Sequence, residues 1–517
     1  MSRDEAGGSE DPIVTETDFV DRLAAVPYVV GLLSFALGWA IVFRWIDVTM
    51  PLAGLPLADW LAGLHLLAGV VLVAVGSLSA MGYTDTTPAD GAGAGPAFAF
   101  GGLAFVLAGL TASQTLGMGN VAWVLAAFVA AVVVSTAVQA LPEDLGITLP
   151  VGLLEVGIAL VVLGRVVGPQ WRWHPAGFSA TFVGPIAIAV FGLVGGLLSA
   201  WAGGAAYREF GSRGRELAAH TLITLNVVAL LGILALLIVF VVQQGLEPAL
   251  EGASLWPPQV PFVTNGYGLR YDVNGIYPAI VGTVWLVVGA VAFSLPLGVG
   301  AAVFLTEYAE QGRLTALVEV ATNGLWSTPS IVYGLFGYAF LVPRLGNTSS
   351  ILAGQLVLGF MLLPLVLITS REALQNVPDE YRDASAALGV SQWETIKGVV
   401  LPAALPGVLT GVILGVGRIA GETAPILLVL TSEPFLGEGP HVLSSFQFQA
   451  TPPFIVNEAL LSPATALPYQ LFAVITAGVG APESFGWATA LVLLLVVLSL
   501  YAVGIFTRIY FRRRLNQ

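Results

Sequence analysis

The sequence predicts an all-α membrane protein that crosses the bilayer many times. Hydrophobic residues make up 56% of the 517 residues and charged residues only 10%, whereas soluble domains carry about 25% charged residues. The mean hydropathy is +0.87. The sequence lacks the alternating segments of about ten residues that are typical of outer-membrane barrels. We therefore expect a polytopic helical protein with about 12 transmembrane helices, counted from apolar stretches long enough to span a bilayer.

The transmembrane helices are predicted from their length. A helix needs about 20 apolar residues to cross a bilayer core about 30 Å thick. The stretches that meet this requirement are 26–43, 61–80, 96–116, 121–141, 149–168, 180–202, 221–242, 279–304, 324–342, 351–369, 404–430 and 486–507. The apolar run 467–480 is shorter, which is typical of an interfacial or re-entrant segment.

The chain is predicted to divide into two membrane regions. The expected parts are an acidic cytoplasmic tail (1–25), a six-helix membrane region of unknown role (26–202), a cytoplasmic linker (203–220) and a second six-helix region (221–517). Arginines in short loops mark the cytoplasmic side, and Arg208, Arg213 and Arg215 place the linker there. Later in the chain, the loops 305–316 and 370–403 also carry arginines and are predicted on the cytoplasmic side. The loops 243–278, 343–350 and 431–485 are predicted on the opposite side and are mostly acidic or neutral, with Arg270 and Arg344 as exceptions. Both termini are therefore expected in the cytoplasm.

Composition also excludes several kinds of site. The single lysine, Lys397, lies between Ile396 and Gly398, so the chain has no G-x-x-x-x-G-K-[ST] loop for ATP. Cysteine is absent and the four histidines are widely spaced, which argues against a metal centre. The net charge of −13 is opposite in sign to what nucleic-acid binding requires. We expect no cofactor and no enzymatic activity in this chain.

The loop 370–403 carries the most specific pattern. A helix is predicted to begin at Val377-Pro378, and Gly389 stands where a left-handed C-cap is expected. Ser391 with Glu394 has the spacing of a capping box for a second short helix, 392–400, which is predicted to end at Leu401-Pro402. Two short helices joined at a glycine make a compact cytoplasmic projection suited to a groove on another protein.

An enzymatic interpretation of the same loop is less favoured. Asp379, Glu380 and Asp383 form a D-E-x-x-D pattern that could bind Mg²⁺–diphosphate in a membrane prenyltransferase. Such a site needs a second acidic cluster to clamp the metal complex. The other predicted cytoplasmic loops of the second half contain none.

The loop resembles the coupling loop of ABC-importer permeases, whose pattern is E-A-A-x3-G-x9-I-x-L-P. The matching residues are Asp383, Ala384, Ser385, Gly389, Val399, Leu401 and Pro402, with Asp for Glu, Ser for Ala and Val for Ile. Segments 306–309, 329–337 and 421–425 resemble the phosphate importer permeases, and the last is closer to the PstA subunit than to its paralogue PstC. The resemblance covers about residues 220–515 and does not extend to residues 1–202.

The resemblance implies a type I ABC-importer permease core (MetI-like) that moves inorganic phosphate across the plasma membrane into the cytoplasm. It implies a heterodimer with a PstC-like permease, a PstB-like ATPase dimer that receives the loop, and a PstS-like phosphate-binding protein. A related oxyanion remains an open alternative as substrate. The alternative mechanism is an ion-coupled secondary transporter of twelve spans; such carriers have related halves, whereas these motifs occur once, in the second half.

Charges and a proline inside predicted spans give the substrate-path candidates. Arg418 and Glu422 lie four residues apart in span 404–430, with Thr423 next to them. Arginine suits an anion, so the pair either lines the anion path or locks the helix to a neighbour. Pro329, followed by Ser330, is predicted to kink its span, which either opens a cavity or fits the bundle.

Three other charges receive no functional role from the sequence. Glu307 is expected on the surface of a cytoplasmic loop. Glu155 and Arg165 are expected near span ends, where their side chains can reach water.

Overall fold

The computed structural model describes residues 17–84, 86–119, 121–310, 312–430, 433–452, 454–478 and 481–515. Most of the predicted acidic tail, 1–25, lies outside the described residues. The chain folds as two compact units, Met1–Leu236 and Leu237–Gln517. In the described ranges both are built of helices, with short two-stranded antiparallel hairpins between some of them.

The first unit contains six helices and the first part of a seventh. They are α1 (Thr17–Val42), α2 (Leu57–Ala80), α3 (Ala94–Leu110), α4 (Ala122–Ala140), α5 (Glu143–Leu163), α6 (Gly184–Tyr207) and α7 (Gly211–Ala249), which continues into the second unit. The hairpins are β1 (Pro51–Leu52) with β2 (Leu55–Pro56), and β3 (Arg172–Trp173) with β4 (Phe182–Val183). Helix α1 packs on α6, α2 on α5 and α3 on α4, so the pairs are nested along the chain.

Glycines allow these helix pairs to approach closely. A Cβ on Gly31 of α1 would lie 2.3 Å from the backbone nitrogen of Ala200 in α6. A Cβ on Gly69 of α2 would lie 2.7 Å from the carbonyl oxygen of Gly152 in α5. Small residues at membrane helix interfaces permit such backbone contact, and the resulting van der Waals packing replaces the hydrophobic drive that water would supply.

The second unit contains the remaining helices. They are α8 (Pro261–Thr264), α9 (Tyr277–Val303), α10 (Arg313–Ser327), α11 (Ser330–Phe336), α12 (Ile351–Gln375), α13 (Asp379–Ala387), α14 (Gln392–Thr395), α15 (Leu401–Ala420), α16 (Ala424–Val429), α17 (Leu467–Ile475) and α18 (Glu483–Leu515). Two further hairpins pair β5 (Ser254–Leu255) with β6 (Pro258–Gln259), and β7 (Phe446–Phe448) with β8 (Ile455–Asn457). Helix α12 is central, because it packs against both α9 and α15, and α15 packs in turn on α18. Leu286, Leu358, Leu362 and Ile419 are almost fully buried in this core.

The predicted membrane class is confirmed. Among the described residues, eleven helices are long and apolar enough to cross a membrane, or twelve if one bent pair counts as a single span. That pair, Thr315–Ser327 and Ser330–Leu345, is bent by 101°. Span 324–342, predicted with a kink at Pro329, is two separate helices with a break at Thr328 and Pro329. The proline lacks the backbone donor that would carry the helix across this point.

Two other predicted ranges differ from the structure. Span 404–430 is not one helix: α15 ends at Ala420, and the short α16 begins at Ala424 with Pro425 in its first turn. Range 203–220, predicted as a linker, is helical except for a turn around Glu209, and Phe210 in that turn is buried. Its small residues pack into the first unit instead of forming an exposed connection.

Candidate functional site

Two short helices form the loop between α12 and α15. Pro378 precedes α13, where a fixed φ suits a helix start and the missing N–H costs no hydrogen bond. Gly389 follows α13 with a φ of +73°, a left-handed conformation that a side chain would strain. The Ser391 side chain accepts a bond from the Glu394 backbone, and the Glu394 side chain accepts one from the Ser391 backbone.

The second short helix continues further than expected. It was predicted to end at Leu401-Pro402, but α14 leads through a π-helical segment, Ile396–Val400, directly into α15. Pro402 stands in the first turn of α15. The π-helical turn before it changes the hydrogen-bond pattern, so the missing proline donor does not end the helix. The loop therefore continues into a membrane helix without a break.

Arg382 of α13 fixes the loop to the end of α9. Its Nη2 and Nε atoms donate to the two carboxylate oxygens of Glu307 at 2.8 and 3.2 Å. The remaining donors reach the carbonyl oxygens of Val377 at 2.9 Å and Leu374 at 3.1 Å, and Oδ1 of Asp379 at 3.2 Å. All five guanidinium N–H groups therefore have acceptors.

The side chain of Glu307 is buried, contrary to the expectation of a surface charge. Its side chain is 8% exposed, and its backbone carbonyl also accepts a 2.6 Å hydrogen bond from Nε2 of Gln392 in α14. Hydrogen bonding to Glu307 raises the pKa of the Arg382 guanidinium. Sequence reasoning missed this contact because the two residues are 75 positions apart. The one sequence feature that pointed to Glu307 was its place in the family-like segment 306–309.

The loop presents an apolar surface that the described residues leave exposed. The exposed side chains are Tyr381, Leu388, Val390 and Trp393, and Leu388 is 82% exposed. Of the residues in the coupling pattern, Asp383 and Ala384 are exposed beside this surface, whereas Ser385 is buried. Leu401 packs instead on the buried cluster that includes Leu374, Val377 and Val400. The pattern therefore contains both an outward face and an inward anchor.

A second candidate site lies where two membrane helices are broken. Arg418 is in the last turn of α15, and Glu422 lies beyond the end of that helix. The two residues therefore do not share a helix face, which their spacing of four within one predicted span had indicated. Arg418 Nε lies 3.8 Å from Glu422 Oε1, and the side chains are 42% and 18% exposed. Thr423 is half-buried in the same break.

The bend at Pro329 adjoins the break beyond Arg418. The guanidinium of Arg418 lies 4.5 Å from the ring centre of Trp326, at the end of α10, in a cation–π contact. Helix α11, which begins at Ser330, packs against α16, and a Cβ on Gly334 would lie 2.6 Å from Cα of Pro425. The structure thus brings together Arg418, Glu422 and the Pro329 bend, which are up to 93 positions apart.

Side chains replace some of the hydrogen bonds lost at the bend. The Thr328 hydroxyl donates to the Gly324 carbonyl at 2.8 Å, and the Tyr333 hydroxyl donates to the Leu325 carbonyl at 2.9 Å. In a membrane, irregular backbone is tolerated where such partners exist or where it lines a water-filled cavity. Trp326 and Tyr333 were not selected from the sequence.

Comparisons with known proteins identify related permeases. The family described as binding-protein-dependent transport system inner membrane component matches residues 294–517. The phosphate transport system permease protein PstA of Haemophilus influenzae is 33% identical over 243 residues, which cover 47% of this chain and 78% of that protein. The PstA protein of Xylella fastidiosa is 34% identical over 227 residues, covering 44% and 71%.

The name of a third relative specifies an ABC transporter permease without a substrate. The probable ABC transporter permease protein YqgI of Bacillus subtilis is 32% identical over 166 residues, covering 32% of this chain and 56% of that protein. Among solved structures, an inward-facing MetNI methionine ABC transporter aligns with a TM-score of 0.35 at 17% identity, over 46% of this chain and 94% of that one.

Proposed function

This chain belongs to the PstA family of phosphate transport system permeases, and from that premise we propose that it is one membrane subunit of an ATP-driven importer of inorganic phosphate. The observation that carries the proposal is the junction of two broken helices at Arg418. Discontinuous membrane helices commonly form transporter binding sites. An arginine there supplies a permanent positive charge and a fork of donors for an oxyanion.

The Arg418 site is suited to brief contact with a passing anion rather than to tight binding. Its side chain is 42% exposed, so the guanidinium is accessible to a passing anion. Its contacts among the described residues are a 3.8 Å approach to Glu422 and the face of Trp326, which leave most of its donors available. Glu422 offsets the charge of the empty site, and an arriving phosphate would compete with it for the guanidinium. Thr423 offers a hydroxyl beside the break.

ATP hydrolysis is assigned to a separate PstB-like ATPase dimer. The exposed apolar surface on 381–393 supports this assignment, because a projection of this kind would be covered by a partner in the assembled transporter. Asp383, Ala384, Ser385, Gly389, Val399, Leu401 and Pro402 form the proposed coupling loop. A PstC-like permease and a PstS-like phosphate-binding protein complete the proposed complex.

The proposed topology places both termini on the cytoplasmic side of the plasma membrane. The arginine bias of the loops supports this orientation. We assign residues 221–517 to the permease domain and leave 26–202 as an additional membrane region, with 203–220 between them on the cytoplasmic side.

Transport by the full complex in proteoliposomes tests the function. We expect accumulation of radiolabelled phosphate only when ATP is on the ATPase side and the PstS-like protein on the other. Excess sulfate or molybdate should not compete. Uptake driven by a proton or sodium gradient without the ATPase would instead support the ion-coupled alternative, which family membership does not favour.

A further inference from the structure

A histidine and a glutamate are buried together inside the first unit. His65 lies on α2 and Glu155 on α5, and their exposed side-chain fractions are 2% and 0%. His65 Nδ1 and Glu155 Oε2 form a hydrogen bond. The sequence placed Glu155 near a span end, but α5 runs from Glu143 to Leu163, so Glu155 is near its middle.

The second polar atom of each side chain has no partner among the described residues. His65 Nε2 and Glu155 Oε1 are both buried without a hydrogen bond. A third helix closes the site: a Cβ on Gly195 of α6 would lie 2.7 Å from His65 Cε1 and 3.0 Å from Glu155 Oε1. The pair is therefore held between three helices, with no room for a larger side chain at Gly195.

The other charged residues of the surrounding helices stand near the helix ends, and several have partners of their own. Helix α6 has no charged residue from Gly184 to Ala206. The charged residues of α1 are Asp18, Asp21 and Arg22, all close to its first residue in the sequence. Ser34 of α1, whose hydroxyl is buried, lies beside Gly192 of α6: a Cβ on that glycine would lie 3.0 Å from the Ser34 carbonyl oxygen. Asp59 of α2 is paired with Arg165. At the other end of α5, Glu143 is paired with Arg215 and Asp144 accepts from Ser79.

We propose that His65 and Glu155 form a proton-binding site that holds one proton within the first unit. With one proton the pair is neutral, whether the proton resides on the imidazole or on the carboxyl group. Without that proton, the pair would bury a carboxylate with no opposite charge beside it and with one unpartnered oxygen. With a second proton, the pair would bury an imidazolium with no opposite charge beside it. Both charged states are costly at membrane depth.

The site makes the packing of three helices depend on proton occupancy. The proton is taken from water and returned to water, so exchange requires α2, α5 and α6 to separate enough to admit it. A charged pair would favour that separation, because water would then solvate the uncompensated charge. The proposal does not depend on phosphate transport and can fail or succeed separately from it.

Nitrogen-15 NMR of the histidines in the full chain, embedded in lipid nanodiscs, tests the proposal. The chain has four histidines, and His174, His220 and His441 are exposed and serve as internal references. Exposed imidazoles change protonation as the pH is raised from about 5.5 to about 8. We expect the His65 signals, assigned with His65→Gln, to stay constant over that interval.

Infrared spectroscopy locates the proton. At about pH 8, well above the ordinary range of histidine, we expect either imidazolium signals at His65 or a protonated-carboxyl band that Glu155→Gln removes. His65→Gln should shift the proton to Glu155 and strengthen that band, whereas the control His174→Gln should change neither measurement. A neutral His65 beside an ionised Glu155 would overturn the proposal, as would His65 titrating together with the exposed histidines. If one of the variants does not fold, the spectra of the wild-type protein still show whether His65 is neutral beside an ionised Glu155.

Discussion

Glu307 and Arg382 join the end of a membrane helix to the loop between α12 and α15. Two hydrogen bonds of 2.8 and 3.2 Å connect the carboxylate with the guanidinium, and the glutamate is only 8% exposed. Glu307 lies in the π-helical segment Phe304–Tyr308 that directly follows α9, so we expect this contact to pass a movement of the loop to that helix. The first prediction concerns its loss.

Glu307→Ala should leave two donors of Arg382 without acceptors and cost about 2 kcal/mol of local stability. We expect phosphate uptake to fall at least several-fold while ATP hydrolysis continues, since the loop no longer moves with α9. Asp379→Asn is the matched control, because Asp379 bonds the same guanidinium but is 91% exposed. Equal losses of uptake in both variants would remove Glu307 from the coupling path.

The second prediction concerns the anion path. Arg418→Gln should reduce phosphate uptake at least tenfold, corresponding to about 1.4 kcal/mol or more, with normal membrane abundance and ATPase association. Adding Glu422→Gln should restore any lost abundance without restoring transport. Arg344→Gln is the control, since Arg344 bonds its own helix at the Phe340 carbonyl. Near-normal uptake in the double variant would leave Arg418 with a structural role only.

The third prediction concerns assembly with the ATPase. Leu388→Asp and Trp393→Asp should abolish co-purification of the ATPase without lowering the Tm, because the two side chains are 82% and 60% exposed. Leu255→Asp is the control: Leu255 is 95% exposed but lies in a loop predicted on the other side of the membrane. Undiminished co-purification in both loop variants would show that this surface is not the docking site.

The fourth prediction concerns the packing of α15 on α18. A Cβ on Gly417 would lie 1.9 Å from the Tyr501 hydroxyl oxygen. Gly417→Ala should therefore lower stability by about 1–3 kcal/mol, measured as a fall in Tm, and Tyr501→Ala should partly reverse the effect. Gly300→Ala in α9 should be tolerated, because nothing lies within 4 Å of its added methyl group. A Gly417→Ala protein as stable as wild type would contradict the observed helix approach.

The fifth prediction concerns the first unit. A chain that begins near Leu217 keeps most of α7 and all of the second unit. We expect it to insert and to assemble with the ATPase, measured by co-purification from membranes. Failure to fold would mean that the permease domain requires the first six helices.

The sequence by itself determined the features that depend on neighbouring residues. Hydropathy identified the membrane helices, because each needs a continuous apolar stretch whatever its partners are. The left-handed Gly389 and the Ser391–Glu394 capping box were predictable for the same reason: their hydrogen bonds and φ angles are set within a few positions.

Only the tertiary structure decided which charges are buried and which helices break. Glu307 meets Arg382 across 75 positions and His65 meets Glu155 across 90, so no local pattern could reveal either pair. The hydropathy of 404–430 concealed the end of α15 at Ala420, because apolar residues continue beyond it. Burial and pairing depend on how helices pack, and that packing brings together side chains that the sequence keeps far apart.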